Sequence, residues 1–182
     1  MSEELIIRHC APTLAGIKTG SLFLCPYRCK RALLDALRRL NRRLVPKGLH
    51  LLPLCLRDEH ALLYLYRPSR LCADLAVPTA ARLLARRGYP ADSALCLAQL
   101  IRRFRHQQDF PHEIGLFLGY PPEDVWGFIE NKARRCKYAG CWKVYGDVAA
   151  AQKTFAQYRK CTRTYCERWA KGVSIEQLTV AG

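Results

Sequence analysis

The sequence predicts an α+β fold, with a small mixed or antiparallel sheet packed against several helices and an amphipathic helix at the C-terminus. Three observations carry that reading. Leu33, Leu37, Leu40 and Leu44 recur at helical spacing, with Arg38, Arg39, Arg42 and Arg43 largely on the other faces. Two apolar runs, residues 49–56 and 60–67, flank Arg57-Asp58-Glu59 at a separation that suits a hairpin. Strand-like segments are too few for a sandwich, so helices must cover one face of the sheet.

The elements follow in order. Ser21-Leu22-Phe23-Leu24-Cys25 is a short apolar run closed by Pro26, and Val45-Pro46-Lys47-Gly48 stops the leucine-striped helix. Pro53 places its strand at an edge or at a bulge. Residues 73–87 predict one or two short helices interrupted at Pro78, followed by a turn at Gly88-Tyr89-Pro90. Asp92 or Ser93 can cap the next helix, with Leu97, Leu100, Ile101 and Phe104 inside and Arg102, Arg103 and Arg105 outside. Two short elements, 111–118 and 122–132, surround Gly119-Tyr120; Val125, Phe128 and Ile129 supply the buried face of the second. Trp142-Lys143-Val144-Tyr145 predicts a short strand. Asp147 can cap a last helix whose inner face is Phe155, Tyr158, Thr162, Tyr165 and Trp169. Nothing along the chain looks like a linker, so a single domain over residues 1–182 is expected.

Composition narrows the class. The 182 residues carry 30 Lys+Arg against 15 Asp+Glu, a formal net charge of +15, and half of them are apolar. That excludes a disordered polyelectrolyte. No apolar run reaches the roughly 18 residues of a membrane span. The acidic start Met1-Ser2-Glu3-Glu4 is unlike a secretory signal, so a cytoplasmic protein with no membrane partner is expected. Arg82, Arg86, Arg87, Arg102, Arg103 and Arg105 extend the arginines of the leucine-striped helix. They read mainly as the solvated complement of apolar stripes.

Ten cysteines lie at 10, 25, 29, 55, 72, 96, 136, 141, 161 and 166. Their spread, with Cys55 and Cys96 in core-like runs, predicts mostly reduced structural thiols. No Cys-x-x-Cys occurs. Cys161 and Cys166 would stand about 140° apart on a helix, and the Cys136–Cys141 gap exceeds that of common zinc knuckles. No metal is expected, with Cys136 and Cys141 the residual candidates for a Cys-ligated site. No cofactor is signalled either: the GxxxxGK[ST], GxGxxG and GxSxG patterns are absent. Lys18, in Ala15-Gly16-Ile17-Lys18-Thr19-Gly20-Ser21, is a candidate anion ligand at a strand entrance.

Residues 110–129 read FPHEIGLFLGYPPEDVWGFI. Gly119 stands where a C-cap glycine is expected, and Gly115 is small enough for close helix approach. Residues 111–132 therefore form a helix-turn-helix-like corner, which keeps a nucleic-acid-binding alternative open. Against it, the second helix starts with Glu123 and Asp124, which phosphates would repel, and basic residues arrive only at Lys132, Arg134 and Arg135. His112-Glu113 is no metalloprotease motif, because the second histidine position holds Leu116. The pair remains the acid/base candidate of an enzyme alternative.

This stretch, with Trp142-Lys143-Val144-Tyr145, resembles a bacterial family catalogued as domain-of-unknown-function family 3793, common in anaerobic, clostridia-like bacteria. Residues 9–18, HCAPTLAGIK, resemble that family's beginning, so the likeness spans nearly the whole chain. Cys141 departs from the residue such proteins often carry before the Trp-Lys, which does not support a thiol role there. The resemblance implies a shared single-domain architecture and a small-molecule or protein-binding role in an anaerobe's cytoplasm. It singles out His9, Lys18, His112, Glu113, Tyr120, Lys143 and Tyr145. The resulting expectation is a protein that binds an anionic small molecule or a protein partner, with Lys18, His112 and Lys143 supplying charge and Tyr120 and Tyr145 flanking.

Overall fold

The computed structural model describes residues 2–106 and 109–182. The chain divides into two compact units, Met1–Arg70 with Lys160–Gly182, and Leu71–Arg159.

The first unit contains α1 (Glu3–Leu14), β1 (Gly20–Pro26), α2 (Lys30–Leu44), β2 (His50–Arg57) and β3 (His60–Tyr66). To these it adds the last turns of α8 (Val148–Ala170) and the short α9 (Ile175–Leu178). The sheet has the order β1-β3-β2 and is antiparallel throughout. Side chains alternate between the faces of a strand, so Phe23, Cys25, Leu51, Ala61, Leu63 and Leu65 share one face. That face meets Ile6, Ile7 and Leu14 of α1, the α2 leucines and Ile175 and Leu178 of α9 in a single core. Each of the four α2 leucines is at most 5% exposed, and burying such a side chain is worth about 1.5–3 kcal/mol. The stripe read from the sequence is thus the main lock of this layer.

Pro53 lies on an edge strand and also beside a bulge, since the β2 register shifts between Pro53 and Cys55. The outer edge of β2 is guarded by the Asn41 side chain, which donates to the Leu51 carbonyl at 2.7 Å and accepts from the Leu51 N–H at 2.9 Å. Asp58 and Glu59 form the hairpin turn with φ of 44° and 61°. Two left-handed residues in a row match the right-handed twist of the strands.

Helix α1 is an element that the sequence did not predict. Pro12 looks like a helix breaker, yet it sits in the last turn of α1. Its missing N–H costs one bond, while Ile6, Ile7, Cys10, Ala11 and Leu14 are all fully buried. Burial outweighs the lost bond. The orphan carbonyls at the end of α1 then receive a buried cation. Arg67, 2% exposed, donates Nε to the Thr13 carbonyl at 2.8 Å and Nη2 to the carbonyls of Leu14 at 2.8 Å and Val180 at 2.6 Å. The negative end of a helix here takes the place of a carboxylate. Burial lowers the guanidinium pKa and Arg70 lowers it further, with Tyr165 opposing.

The second unit contains most of α3 (Pro68–Ala76), then α4 (Pro78–Arg86), α5 (Ser93–His106), α6 (Ile114–Phe117) and α7 (Pro122–Glu130). The hairpin β4 (Tyr138–Ala139) and β5 (Lys143–Val144) and the first half of α8 complete it. Residues 73–87 fall in two helices broken at Pro78, which opens α4, and α3 begins five residues earlier than expected. Asp92 caps α5 by accepting the Leu95 N–H at 2.9 Å, and Asp147 caps α8 through the Ala150 N–H at 3.0 Å. Two charged residues depart from the expected pattern: Arg103 turns inward from α5, and Asp124 is 3% exposed on α7.

Between α6 and α7, Gly119 has φ of 75°. Its N–H bonds to the Leu116 carbonyl, and that of Tyr120 to the Gly115 carbonyl, which closes the short helix. A Cβ on Gly115 would stand 2.7 Å from Val125 Cγ2, so the glycine sets the approach of α7 to α6. Val144, Ala151 and Phe155 form the core under the hairpin, with Trp142 packed on it. Among the described residues, no helix is long and apolar enough to cross a membrane.

A second polar tie closes the first unit. Arg43 forms ion pairs with Glu176 and Glu3, and Lys47 Nζ donates to the Glu176 carbonyl at 2.6 Å. Hydrogen bonding from Arg43 holds the Glu176 carboxyl down at about 2, against an ordinary 4.5. A carboxyl depressed in the folded state contributes stability that is complete above about pH 4.5 and is lost as pH falls toward 2. The urea midpoint should therefore fall further between pH 5 and pH 2.5 in the wild-type chain than in Glu176→Gln. Equal falls in both proteins would show that this pair does not couple folding to acid.

Candidate functional site

In the second unit, two adjacent acidic residues on α7 have opposite fates. Asp124 Oδ2 accepts the Trp142 indole N–H at 2.7 Å, and Oδ1 accepts the backbone N–H groups of Tyr145 and Gly146, each at 2.7 Å. Three donors satisfy this buried carboxylate. They also fix the rotation of α7 against the corner between β5 and α8. Glu123, one residue earlier, consequently points outward and is exposed.

The other end of α4 is held by Glu113, which has no exposed surface. Its carboxylate accepts from the Tyr89 hydroxyl at 2.9 Å and from Arg103 Nη1 at 2.5 Å, with Arg87 Nη2 at 3.5 Å. The Arg103 guanidinium lies 4.4 Å from the Tyr89 ring centroid and also donates to the Arg87 carbonyl. Burial, then the charge of Glu113, raises the Tyr89 pKa, so the phenol stays a donor. This cluster ties the ends of α4 and α5 to the start of α6.

Between α4 and α7 these anchors leave an open groove of about 300 Å³ lined by Thr79, Arg82, Leu83, Arg86, Pro122, Glu123 and Trp126. The α4 residues recur at i, i+3, i+4 and i+7, which puts them on one helical face. Trp126 is a large aromatic side chain left 37% exposed. Arg86 lies over its ring, 5.1 Å from the centroid. Stacking of this kind orients a guanidinium without neutralising it. Arg82 Nε donates to the Pro78 carbonyl at 3.3 Å. Among the described residues, neither arginine is in an ion pair. The groove therefore offers two oriented cations beside an apolar wall, an arrangement that can hold a carboxylate or phosphate attached to an apolar group.

The residues singled out by sequence lie elsewhere and divide between the units. His9 and Lys18 belong to the first, where exposed His9 stacks on Phe23 at 5.9 Å. The charge of Lys18 partly offsets the burial that raises the Cys10 pKa. In the second unit, exposed His112 lies against Phe110 and Phe128, 5.6 and 4.9 Å between ring centroids, whereas its neighbour Glu113 is buried in the ion-pair cluster. The two side chains thus have separate surroundings. Lys143 Nζ donates to the Ala133 carbonyl at 2.6 Å and also lies 6.0 Å from the Phe128 ring. Tyr145 donates its hydroxyl to the Arg134 carbonyl at 3.0 Å. Tyr120 stacks on Trp142 at 4.7 Å, and burial pushes its hydroxyl up to about 12. Cys136 is half-buried and Cys141 exposed, and all ten thiols are free. Among the described residues, no three His, Cys, Asp or Glu side chains gather around a point that could hold a metal ion.

Sequence reasoning named Arg82 and Arg86 only among many surface arginines, and it did not single out Trp126. The available signal was local: two arginines four apart on one helix, and a tryptophan exposed next to Val125, which is buried. A family model described as "Protein of unknown function (DUF3793)" matches residues 6–179. No curated protein and no solved structure matches the chain.

Removing the charge of Glu113 leaves Arg103 buried without its partner. Glu113→Gln should lower the unfolding free energy by about 3 kcal/mol, the usual cost of breaking a buried pair. Urea unfolding measures this directly. A loss below about 1 kcal/mol, the range of an ordinary hydrogen bond, would refute the anchoring role.

Proposed function

The chain belongs to the family of proteins of unknown function DUF3793, and from that premise we propose that it binds an anionic small molecule in the groove between α4 and α7. One observation carries the reading: Arg82 and Arg86 line a groove of about 300 Å³ beside exposed Trp126 and, among the described residues, form no ion pair. Three other arginines are committed to the fold, Arg67 to carbonyls, Arg43 to two glutamates and Arg103 to Glu113. The volume sits at the small end of ligand sites. An aromatic wall with flanking guanidinium groups suits an acid whose apolar part stacks while its charged end is clamped. Ten free thiols fit a reducing cytoplasm as the setting.

Lys143 and His112 are not the clamp in this reading, since both are held on Phe128. 3-Phenylpropionate and phenyl phosphate serve as probes in calorimetric titration. Arg82→Gln with Arg86→Gln should weaken both by roughly tenfold or more, because hydrogen bonds to charged groups are worth about 1.5–3 kcal/mol. Lys143→Gln should leave them unchanged. Equal affinity in the double arginine variant and the wild-type chain would remove the groove as the site.

A further inference from the structure

The groove carries both signs of charge. Glu123 lines it from α7, its side chain lying over Gly146, where an added Cβ would stand 2.8 Å from Glu123 Cγ, and Arg82 and Arg86 line it from α4. No ion pair joins them, and among the described residues the Glu123 side chain makes no hydrogen bond, whereas adjacent Asp124 accepts three. One groove thus collects an acid and two arginines with no ion pair among them, Arg82 bonded to the Pro78 carbonyl and Arg86 stacked on Trp126. Leu83, Pro122 and Trp126 complete the lining with apolar surface.

We infer that the ligand is a zwitterion on an apolar scaffold, an amino acid with a large apolar side chain or a short peptide, whose carboxylate meets Arg82 and Arg86 and whose ammonium group meets Glu123. This rests on the groove being the binding site. A polyanion such as a nucleotide triphosphate would be repelled by Glu123, and a simple monoanion would leave that carboxylate partly desolvated without compensation. A molecule bearing one charge of each sign satisfies all three side chains. Its apolar part covers Trp126 and Leu83. Specificity then comes from Glu123 through attraction to the ammonium and rejection of an extra anion.

Titration of the full chain with four probes tests this: phenylalanine, the dipeptide Ala-Phe, N-acetylphenylalanine and phenylalanine amide. Phenylalanine or Ala-Phe should bind about tenfold more tightly than N-acetylphenylalanine, which lacks the cation, and than the amide, which lacks the anion. Whichever zwitterion binds more tightly distinguishes a free amino acid from a peptide. Glu123→Gln should bring the zwitterion down to the level of N-acetylphenylalanine without weakening the latter, and Glu123→Lys should invert the order. Near-ultraviolet circular dichroism confirms that both variants retain the fold. If N-acetylphenylalanine binds the wild-type chain as tightly as phenylalanine, and the arginine variants weaken both, the zwitterion falls while the anion site stands. If none of the carboxylates binds, both fall.

Discussion

The register of α7 is fixed by the three hydrogen bonds to Asp124, and much of the second unit's surface chemistry follows from it. A carboxylate cannot be buried unsatisfied, so α7 has one rotation in which the Trp142 indole and two backbone N–H groups converge on Asp124. A helical residue one position away is turned by about 100°. Burying Asp124 therefore presents Glu123 to solvent, and Trp126, nearly one turn from Glu123, comes out beside it. The composition of the groove is thus a by-product of where one acid is anchored.

A net charge of +15 suggests a uniformly basic surface, but the arginines have distinct duties. Arg67 ends a helix by binding its last carbonyls, and Arg43 draws α2 to both termini of its unit through Glu3 and Glu176. Arg103 sits over Tyr89 and compensates a fully buried glutamate. Guanidinium suits these tasks because it presents several donors in a fixed plane and keeps its charge when partly desolvated. What distinguishes Arg82 and Arg86 is their place, on one face of α4 along a groove that an exposed tryptophan also lines.

Local signals in the sequence had local outcomes. The leucine stripe of α2, the aspartate caps of α5 and α8, the Gly119 stop and the edge position of Pro53 each depend on a few neighbouring residues, and each is found in place. Three features resisted reading for a common reason. Arg103, Asp124 and Glu113 look like surface residues by type, and only partners 10 to 24 positions away make their burial tolerable. The groove is of the same kind, since its two walls come from helices some forty residues apart. Helix α1 was hidden differently: a proline in its last turn masks an apolar face that tertiary packing rewards. The residues that carried the family resemblance, among them Gly115, Gly119, Asp124, Trp142 and Tyr145, are joined by packing and hydrogen bonds in the corner between α6 and β5.

Asn41 has a meaning beyond one pair of hydrogen bonds. An edge strand with free backbone groups is a template on which another chain can grow. The side-chain amide of Asn41 occupies both groups of Leu51, and it is carried by α2, whose own attachment is the leucine stripe. The guard on the sheet and the lid on the core are therefore a single helix. A substitution that loosens the stripe uncovers apolar surface and an unpaired strand together, so damage to this layer would end in aggregation rather than in reversible unfolding.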